Sequence, residues 1–145
     1  MESFKSHTMI KQEPSDNPAT ADYFLIKEGV EYSGTHLLID LWGASRLDDR
    51  RHIEETLRRC VTTCNATLLH IHLHQFSESG GISGVAVLAE SHISVHTWPE
   101  RNYAAFDVFM CGSASPLNAP AVLNKAFKPS DLKVKEILRG CKDSQ

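Results

Sequence analysis

The sequence is poor in features that would carry it into or across a membrane, and in covalent cross-links. Its longest apolar runs fall far short of a bilayer span. Residues 1–14 mix charged and polar side chains with no apolar stretch to act as a signal-peptide core, so a cytoplasmic location is expected. Cysteine is sparse: Cys60, Cys64, Cys111 and Cys141, with no C-x-x-C pair. That spacing argues against a thioredoxin motif or a structural zinc site. In a reducing compartment the thiols are expected to stay free, each a small core residue or a reactive group. Basic residues are in the minority, 15 Lys and Arg against 18 Asp and Glu, and they form no cluster. The formal net charge of −3 therefore excludes the footprint of a nucleic-acid binder. No lysine stands out as a site for pyridoxal phosphate, and the chain is short for such a fold.

What remains is an ordinary globular composition: 145 residues, 41% hydrophobic and 23% charged, enough for one domain with one core. Residues 1–30 are expected to form a mobile N-terminal extension, with an apolar patch at 23–26 docking on the domain and a turn over 29–35. The domain spans 31–140, and 141–145 is a tail. Residues 36–42 read as a strand. Residues 45–49 supply capping chemistry for a helix, in which Ile53, Leu57, Cys60, Val61 and Cys64 recur at helical spacing until Asn65. Period-two alternation makes a strand of 67–76 and another of 91–98. Residues 82–89, 103–110 and 132–138 are further strands, and Ser115-Pro116 opens a helix over 117–127. The order β-α-β-β-β-β-α-β predicts an α+β two-layer sandwich, an antiparallel sheet with two helices on one face.

The segment 90–100, ESHISVHTWPE, is an odd strand. It places a serine, two histidines and two glutamates where Val and Ile would be expected. Half-buried polar groups cost free energy unless they are satisfied, and such conflicts concentrate at functional sites. A free serine is a weak nucleophile that needs an oriented neighbour, and histidine takes up a proton near neutral pH.

The run GISGVAVLAESHISVHTWPE, followed by YAAFDVFMCG, resembles the bacterial and archaeal S-adenosylmethionine decarboxylase proenzymes. The similarity extends from about Gly34 to Gly140. It implies self-cleavage between Glu90 and Ser91: the Ser91 hydroxyl attacks the Glu90 carbonyl, the resulting ester eliminates, and the dehydroalanine hydrolyses to a pyruvoyl group and ammonia. It implies that His96 assists processing, that Ser83 stabilises the oxyanion, and that Cys111 returns a proton after CO2 leaves. The pyruvoyl carbonyl would act through a Schiff base, the electron sink that no side chain supplies. The same resemblance makes Trp98 and Phe76 adenine-stacking candidates and Glu100 a ribose ligand. It also implies a homodimer of cleaved protomers, in keeping with a small domain that leaves one sheet face bare.

Blander readings stand beside each of these. Ser91 and Ser83 are also plausible as structural hydroxyls, His96 as a hydrogen-bonded core histidine, Cys111 as a buried thiol. Trp98 and Phe76 are also plausible as core aromatics, and Glu100 as a solvated turn residue. Ornithine or arginine is the alternative substrate, because the processing motif does not discriminate among them. His70, His72 and His74 share one strand face and are candidate zinc ligands, but no carboxylate or cysteine partner is marked, so a polar sheet face is the preferred reading and no metal is expected. A metal-binding module would take up zinc without cleavage. A non-catalytic subunit would be expected to lack Ser91, His96 or Cys111. Ser91 and His96, five residues apart, point to opposite faces of an ideal strand. For both to serve one site, the strand is expected to bulge or turn near Ser91.

Overall fold

A computed structural model describes residues 24–142; residues 1–23 and 143–145, most of the expected extension and tail, lie outside it. The predicted sandwich is present. Eight strands and two helices follow in the order β1 (Leu25–Lys27), β2 (Val30–Tyr32), β3 (Gly34–Trp42), α1 (Arg50–Thr63), β4 (Leu68–Gln75), β5 (Ile82–Leu88), β6 (Ser91–Trp98), β7 (Tyr103–Met110), α2 (Ala119–Phe127) and β8 (Asp131–Arg139). Strands β3 to β8 form one antiparallel sheet in the order β4-β5-β6-β7-β3-β8. Among the described residues, no helix is long and apolar enough to cross a membrane.

Alternation decides which face is buried. Leu37, Ile39 and Leu41 of β3, Ile93 and Val95 of β6, and Phe106 and Val108 of β7 all point to one side, at 0–1% exposure. Each such side chain contributes roughly 1.5–3 kcal/mol through burial. The helices cover that side. Helix α1 presents Ile53, Thr56, Leu57, Cys60 and Val61 to it, the stripe expected of a 3.6-residue period. Helix α2 adds Leu123 and Phe127, and Phe127 packs on Phe106 at 5.7 Å between ring centroids. Burial pushes the Cys60 and Cys64 thiols up, to about 12 and about 11, which makes them inert core residues. Among the described residues, no helix lies on the opposite face of the sheet.

Two local expectations need correction. Residues 29–35 are not simply a turn, since residues 25–27 and 30–32 pair as two short strands. Glu28 and Gly29, both at positive φ, close a hairpin between β1 and β2, the geometry of a tight two-residue turn. The hairpin is tied down by fully buried Tyr32 and by Lys27 at 3.9 Å from Glu136 of β8. The second helix begins at Ala119, after a short 3-10 turn over Pro116–Asn118. Pro120 lacks an N–H and belongs in a first helical turn, so it sets the start there.

Asp49 is the N-cap of α1 and accepts the His52 backbone N–H at 3.0 Å. That bond, followed by the Arg46 guanidinium, holds its carboxyl below the ordinary value. A carboxyl depressed on folding stabilises the fold above its unfolded pKa, and the contribution is lost as pH falls through the folded value. Asp49→Ala is expected to lose about 1 kcal/mol at pH 7. Thermal melts should show the two proteins converging at low pH; a gap that persists at pH 2 would assign the loss to something other than the charged cap.

Candidate active site

Strands β5 and β6 are joined by a two-residue turn, Ala89–Glu90, closed by the pair Leu88 and Ser91. Glu90 has φ of 64°, a left-handed conformation that costs a residue with a Cβ roughly 1–2 kcal/mol. Tight hairpin turns ordinarily place positive φ at the first central residue or at both. Here Ala89 is not left-handed and Glu90 is, so the Glu90–Ser91 peptide sits in a strained junction.

Strand β7 ends at Met110, beside the start of β6, and Cys111 extends past it toward the same turn. Its backbone N–H donates to Ser91 Oγ at 3.3 Å, and its thiol donates to the Glu90 carbonyl oxygen at 2.8 Å. Cys111 Sγ lies 3.8 Å from Ser91 Oγ. One residue thus holds both ends of a possible acyl transfer, the hydroxyl and the carbonyl it would attack. A pocket of about 210 Å³ opens against this point, lined among others by Asn65, Thr67, Glu90, Ser91, Cys111 and Ser113.

His96 is not part of this group. The register of β5 with β6 runs without interruption from Leu88 and Ser91 to Ser83 and His96, so of the bulge or turn expected near Ser91 the turn is present and the bulge is not. The reversal is absorbed by the Ala89–Glu90 turn, and burial of Ile93, Val95 and Thr97 on one face locks the register. Ser91 points to the helix-covered side. His96 points to the open side, ~17 Å further along the strand. There it meets Ser83: Oγ and Nδ1 are 2.8 Å apart. This bond engages Nδ1, and Nε2 remains as the second nitrogen able to take or give a proton. Ser83, expected at the oxyanion of the scissile carbonyl, is therefore remote from it within one protomer; Cys111 occupies that position.

The third group lies at the far end of the open face. Trp42, Tyr103 and Trp98 stack in one cross-strand row, with centroids 4.2 and 5.2 Å apart and planes within 22°. Gly81 precedes β5 at the next position in the row. The Phe76 N–H donates to its carbonyl at 3.1 Å, so Phe76 flanks Gly81 on the side away from Trp98. A Cβ on Gly81 would meet the Thr97 carbonyl oxygen at 2.5 Å, so a side chain is excluded there. Trp98 and Phe76 stand about 9–10 Å apart, two strand spacings, over a bare backbone floor. They are 39% and 68% exposed. Glu100 is exposed on the short 3-10 turn Pro99–Arg101 beside Trp98.

Sequence reasoning passed over two carboxylates on the open face. Asp107 of β7 is held by His36 Nε2 and by the Ser94 hydroxyl, each at 3.0 Å. Burial lowers the neighbouring His92, and the nearby His36 lowers it further. Asp40 of β3 accepts the Tyr103 phenol at 2.6 Å. The available signal was a charged residue inside an apolar strand, HLLIDLW and YAAFDVFM. His70, His72 and His74 point outward from the edge strand β4, with His74 edge-on to Phe76 at 4.7 Å. Among the described residues, no three His, Cys, Asp or Glu side chains are arranged to hold a metal ion.

Comparison with known proteins gives this arrangement a context. The model of the S-adenosylmethionine decarboxylase family matches residues 35–140. An S-adenosylmethionine decarboxylase proenzyme of Methanococcus maripaludis is 46% identical over 113 residues, covering 76% of this chain and 92% of the relative. One from Thermomicrobium roseum is 42% identical over 108 residues, covering 74% and 93%. The crystal structure of the adenosylmethionine decarboxylase from Aquifex aeolicus superposes with a TM-score of 0.68 at 32% identity, over 79% of this chain and 96% of that one. The chain belongs to the S-adenosylmethionine decarboxylase family.

Proposed function

We propose that the chain is the proenzyme of a pyruvoyl-dependent S-adenosylmethionine decarboxylase, which supplies the aminopropyl donor for spermidine synthesis. The observation that carries this is the double grip of Cys111 on Ser91 Oγ and on the Glu90 carbonyl, at a strained turn, in a family whose members are named proenzymes. Ser91 Oγ attacks the Glu90 carbonyl carbon. The Cys111 thiol stabilises the oxyanion, the kind of donor worth roughly 3–4 kcal/mol elsewhere. The C–N bond breaks, its nitrogen takes a proton, and Glu90 is left as an ester on Ser91. Loss of the Ser91 α-proton then eliminates the Glu90 carboxylate, and hydrolysis releases ammonia.

A pyruvoyl group fits residue 91: its precursor hydroxyl faces the pocket wall that Cys111 shares, and the Glu90 carbonyl it would attack is held by the Cys111 thiol. Once formed, the group supplies the carbonyl that takes the substrate amine and accepts electrons as CO2 departs. Cys111 remains beside it as the proton donor. Asn65, Thr67 and Ser113 line the space for the amino-acid end.

The remaining groups support a dimer. Ser83–His96 lies on the other face from Ser91, and the Trp98–Phe76–Glu100 group is ~23 Å from it along β6. Nine bonds of ~1.5 Å separate the α-amine of S-adenosylmethionine from its base, too few to bridge that gap. A second copy packed antiparallel across the bare sheet face would carry its own Ser83–His96 pair and aromatic group toward the Glu90–Ser91 turn at the end of the β5–β6 hairpin, His96 for processing and the aromatic pair for adenine. Adenine stacking favours S-adenosylmethionine over ornithine or arginine, whose distal cations call for carboxylates. The four cysteines are free, in keeping with action in the cytoplasm.

Intact mass of the purified, denatured protein tests this, with and without borohydride in the presence of S-adenosylmethionine, ornithine or arginine. Two fragments, 1–90 and 91–145, with the second gaining mass on S-adenosylmethionine alone, are expected. A single full-length mass after long incubation would refute the reading. Strain at the turn is tested separately. Glu90→Gly removes the left-handed penalty and is expected to slow cleavage about tenfold, whereas Glu90→Ala keeps the penalty and should cleave near the normal rate. Equal rates for Gly and Ala would mean the turn stores nothing that the transition state releases.

A further inference from the structure

We infer that Tyr103, anchored by Asp40, is a positioning residue that fixes the plane of Trp98 as one wall of the base-binding slot. This deepens the proposed function and rests on it for the identity of the base. The phenol donates to Asp40 Oδ1 at 2.6 Å, a short charge-assisted bond. Tyr103 has Trp42 on one side and Trp98 on the other, nearly parallel to both. With a ring on each face and its hydroxyl tethered, it has little rotational freedom left. Trp98 differs: it stacks on Tyr103 at 5.2 Å and 22°, has the His96 ring of its own strand further off at 6.1 Å and 30°, and neighbours Gly81, where no side chain fits. Of the two rings Tyr103 is the closer and the more nearly parallel, so it is the one that sets the Trp98 plane.

A purely structural tie is the competing account. It explains less, because β3 and β7 are already joined along eight consecutive residue pairs, Thr35 with Met110 through to Trp42 with Tyr103. A ninth link adds little to a ladder that is already complete. What the bond adds is the direction of a ring. It also gives a carboxylate inside an apolar strand its donor, without which Asp40 would be an unfavourable choice. Burial, with the Asp40 bond next in importance, pushes the Tyr103 phenol up to about 12, so it remains a donor across the working pH range.

The chain contains two tryptophans, Trp42 and Trp98, and both belong to this row, so their emission reports directly on it. The test titrates the full-length enzyme with 5′-deoxy-5′-methylthioadenosine and follows quenching. It is repeated with Tyr103→Phe and Asp40→Ala, which break the bond from either side, and with Asp40→Asn, which keeps an acceptor. Nucleoside affinity and KM for S-adenosylmethionine are each expected to worsen about tenfold in the first two. In both, kcat should stay within about twofold, and Asp40→Asn should restore much of the loss. Should Tyr103→Phe fail to fold, Asp40→Ala decides. Unchanged affinity in the bond-breaking variants, a loss confined to kcat, or no quenching in the wild-type enzyme overturns the inference. A wild-type enzyme that binds the nucleoside through Tyr103 yet leaves S-adenosylmethionine intact would overturn the substrate and leave the positioning role standing. An enzyme that decarboxylates S-adenosylmethionine with a KM and a nucleoside affinity indifferent to Tyr103 would do the reverse.

Discussion

Ser91→Ala is expected to remain a single uncleaved chain, with no fragment visible by mass even after prolonged incubation, and to have no decarboxylase activity. The substitution removes one hydroxyl whose described contacts are with Cys111, a 3.3 Å bond from its N–H and a 3.8 Å approach to its thiol. The fold should be disturbed by no more than a single weak hydrogen bond, about 1 kcal/mol. The loss of cleavage should be complete because, among the described residues, the Ser91 hydroxyl is the nucleophile placed for the Glu90 carbonyl. Cys111 is the nearest rival, but its thiol is engaged as a donor to the carbonyl oxygen. A variant that still splits at 90/91 would shift the attack onto Cys111 and remove Ser91 from the mechanism.

The second large effect follows from the opposite facing of Ser91 and His96. His96→Ala is expected to process slowly on its own, and Ser91→Ala not at all. Co-expressed with different tags, the two should form mixed dimers. In these, Ser91 of the His96→Ala chain meets an intact Ser83–His96 pair from the other chain. With random pairing of equal amounts, about half of the His96→Ala chains sit in mixed dimers and should cleave at the normal rate. Activity should recover to roughly a quarter of wild type, since mixed dimers carry one competent site each. Tag-resolved mass spectrometry reads the outcome. If the His96→Ala chain cleaves no faster beside its partner, the pair does not act across an interface. The uninterrupted β5–β6 register would then have to change before cleavage.

The fold was largely legible in the sequence because burial imposes periodicity. Ile53, Leu57, Cys60, Val61 and Cys64 could only share a face in a helix, and Asn65 at φ of 56° ends α1 as its polarity suggested. The β1–β2 hairpin was missed because three-residue strands carry too little alternation to be seen. Glu28-Gly29 was the one usable signal. Within the site, the chemical residue types were visible and their grouping was not. The Ser91 and Ile93 alternation was read correctly, and the chain does turn just before Ser91, but that turn does not bring His96 to the same face. The real partner of Ser91 is Cys111, twenty residues away, and that proximity depends on the β6–β7 register, which no local pattern encodes. Ser83–His96 likewise depends on how β5 pairs with β6. Trp98 was picked out as an aromatic in a motif, but the slot beside it exists because Gly81 is empty, and absence of a side chain leaves no hydrophobic signature.

The strand order has a consequence for what the cut does to the molecule as a whole. Cleavage after Glu90 would assign β3, β4, β5 and α1 to one chain and β6, β7, β8 and α2 to the other. In the sheet these do not form two blocks. Strand β3 of the first chain lies between β7 and β8 of the second, and β5 of the first pairs with β6 of the second. Three of the five ladders would thus run between separate polypeptides, interleaved so that neither can leave without the sheet opening. The uncut chain is expected to regain its fold by a first-order process, independent of concentration. The cut one must find its other half by collision, so its recovery becomes second-order and fails on dilution. A single peptide bond therefore divides a protein that can refold alone from one whose native state, once lost, depends on the company it keeps.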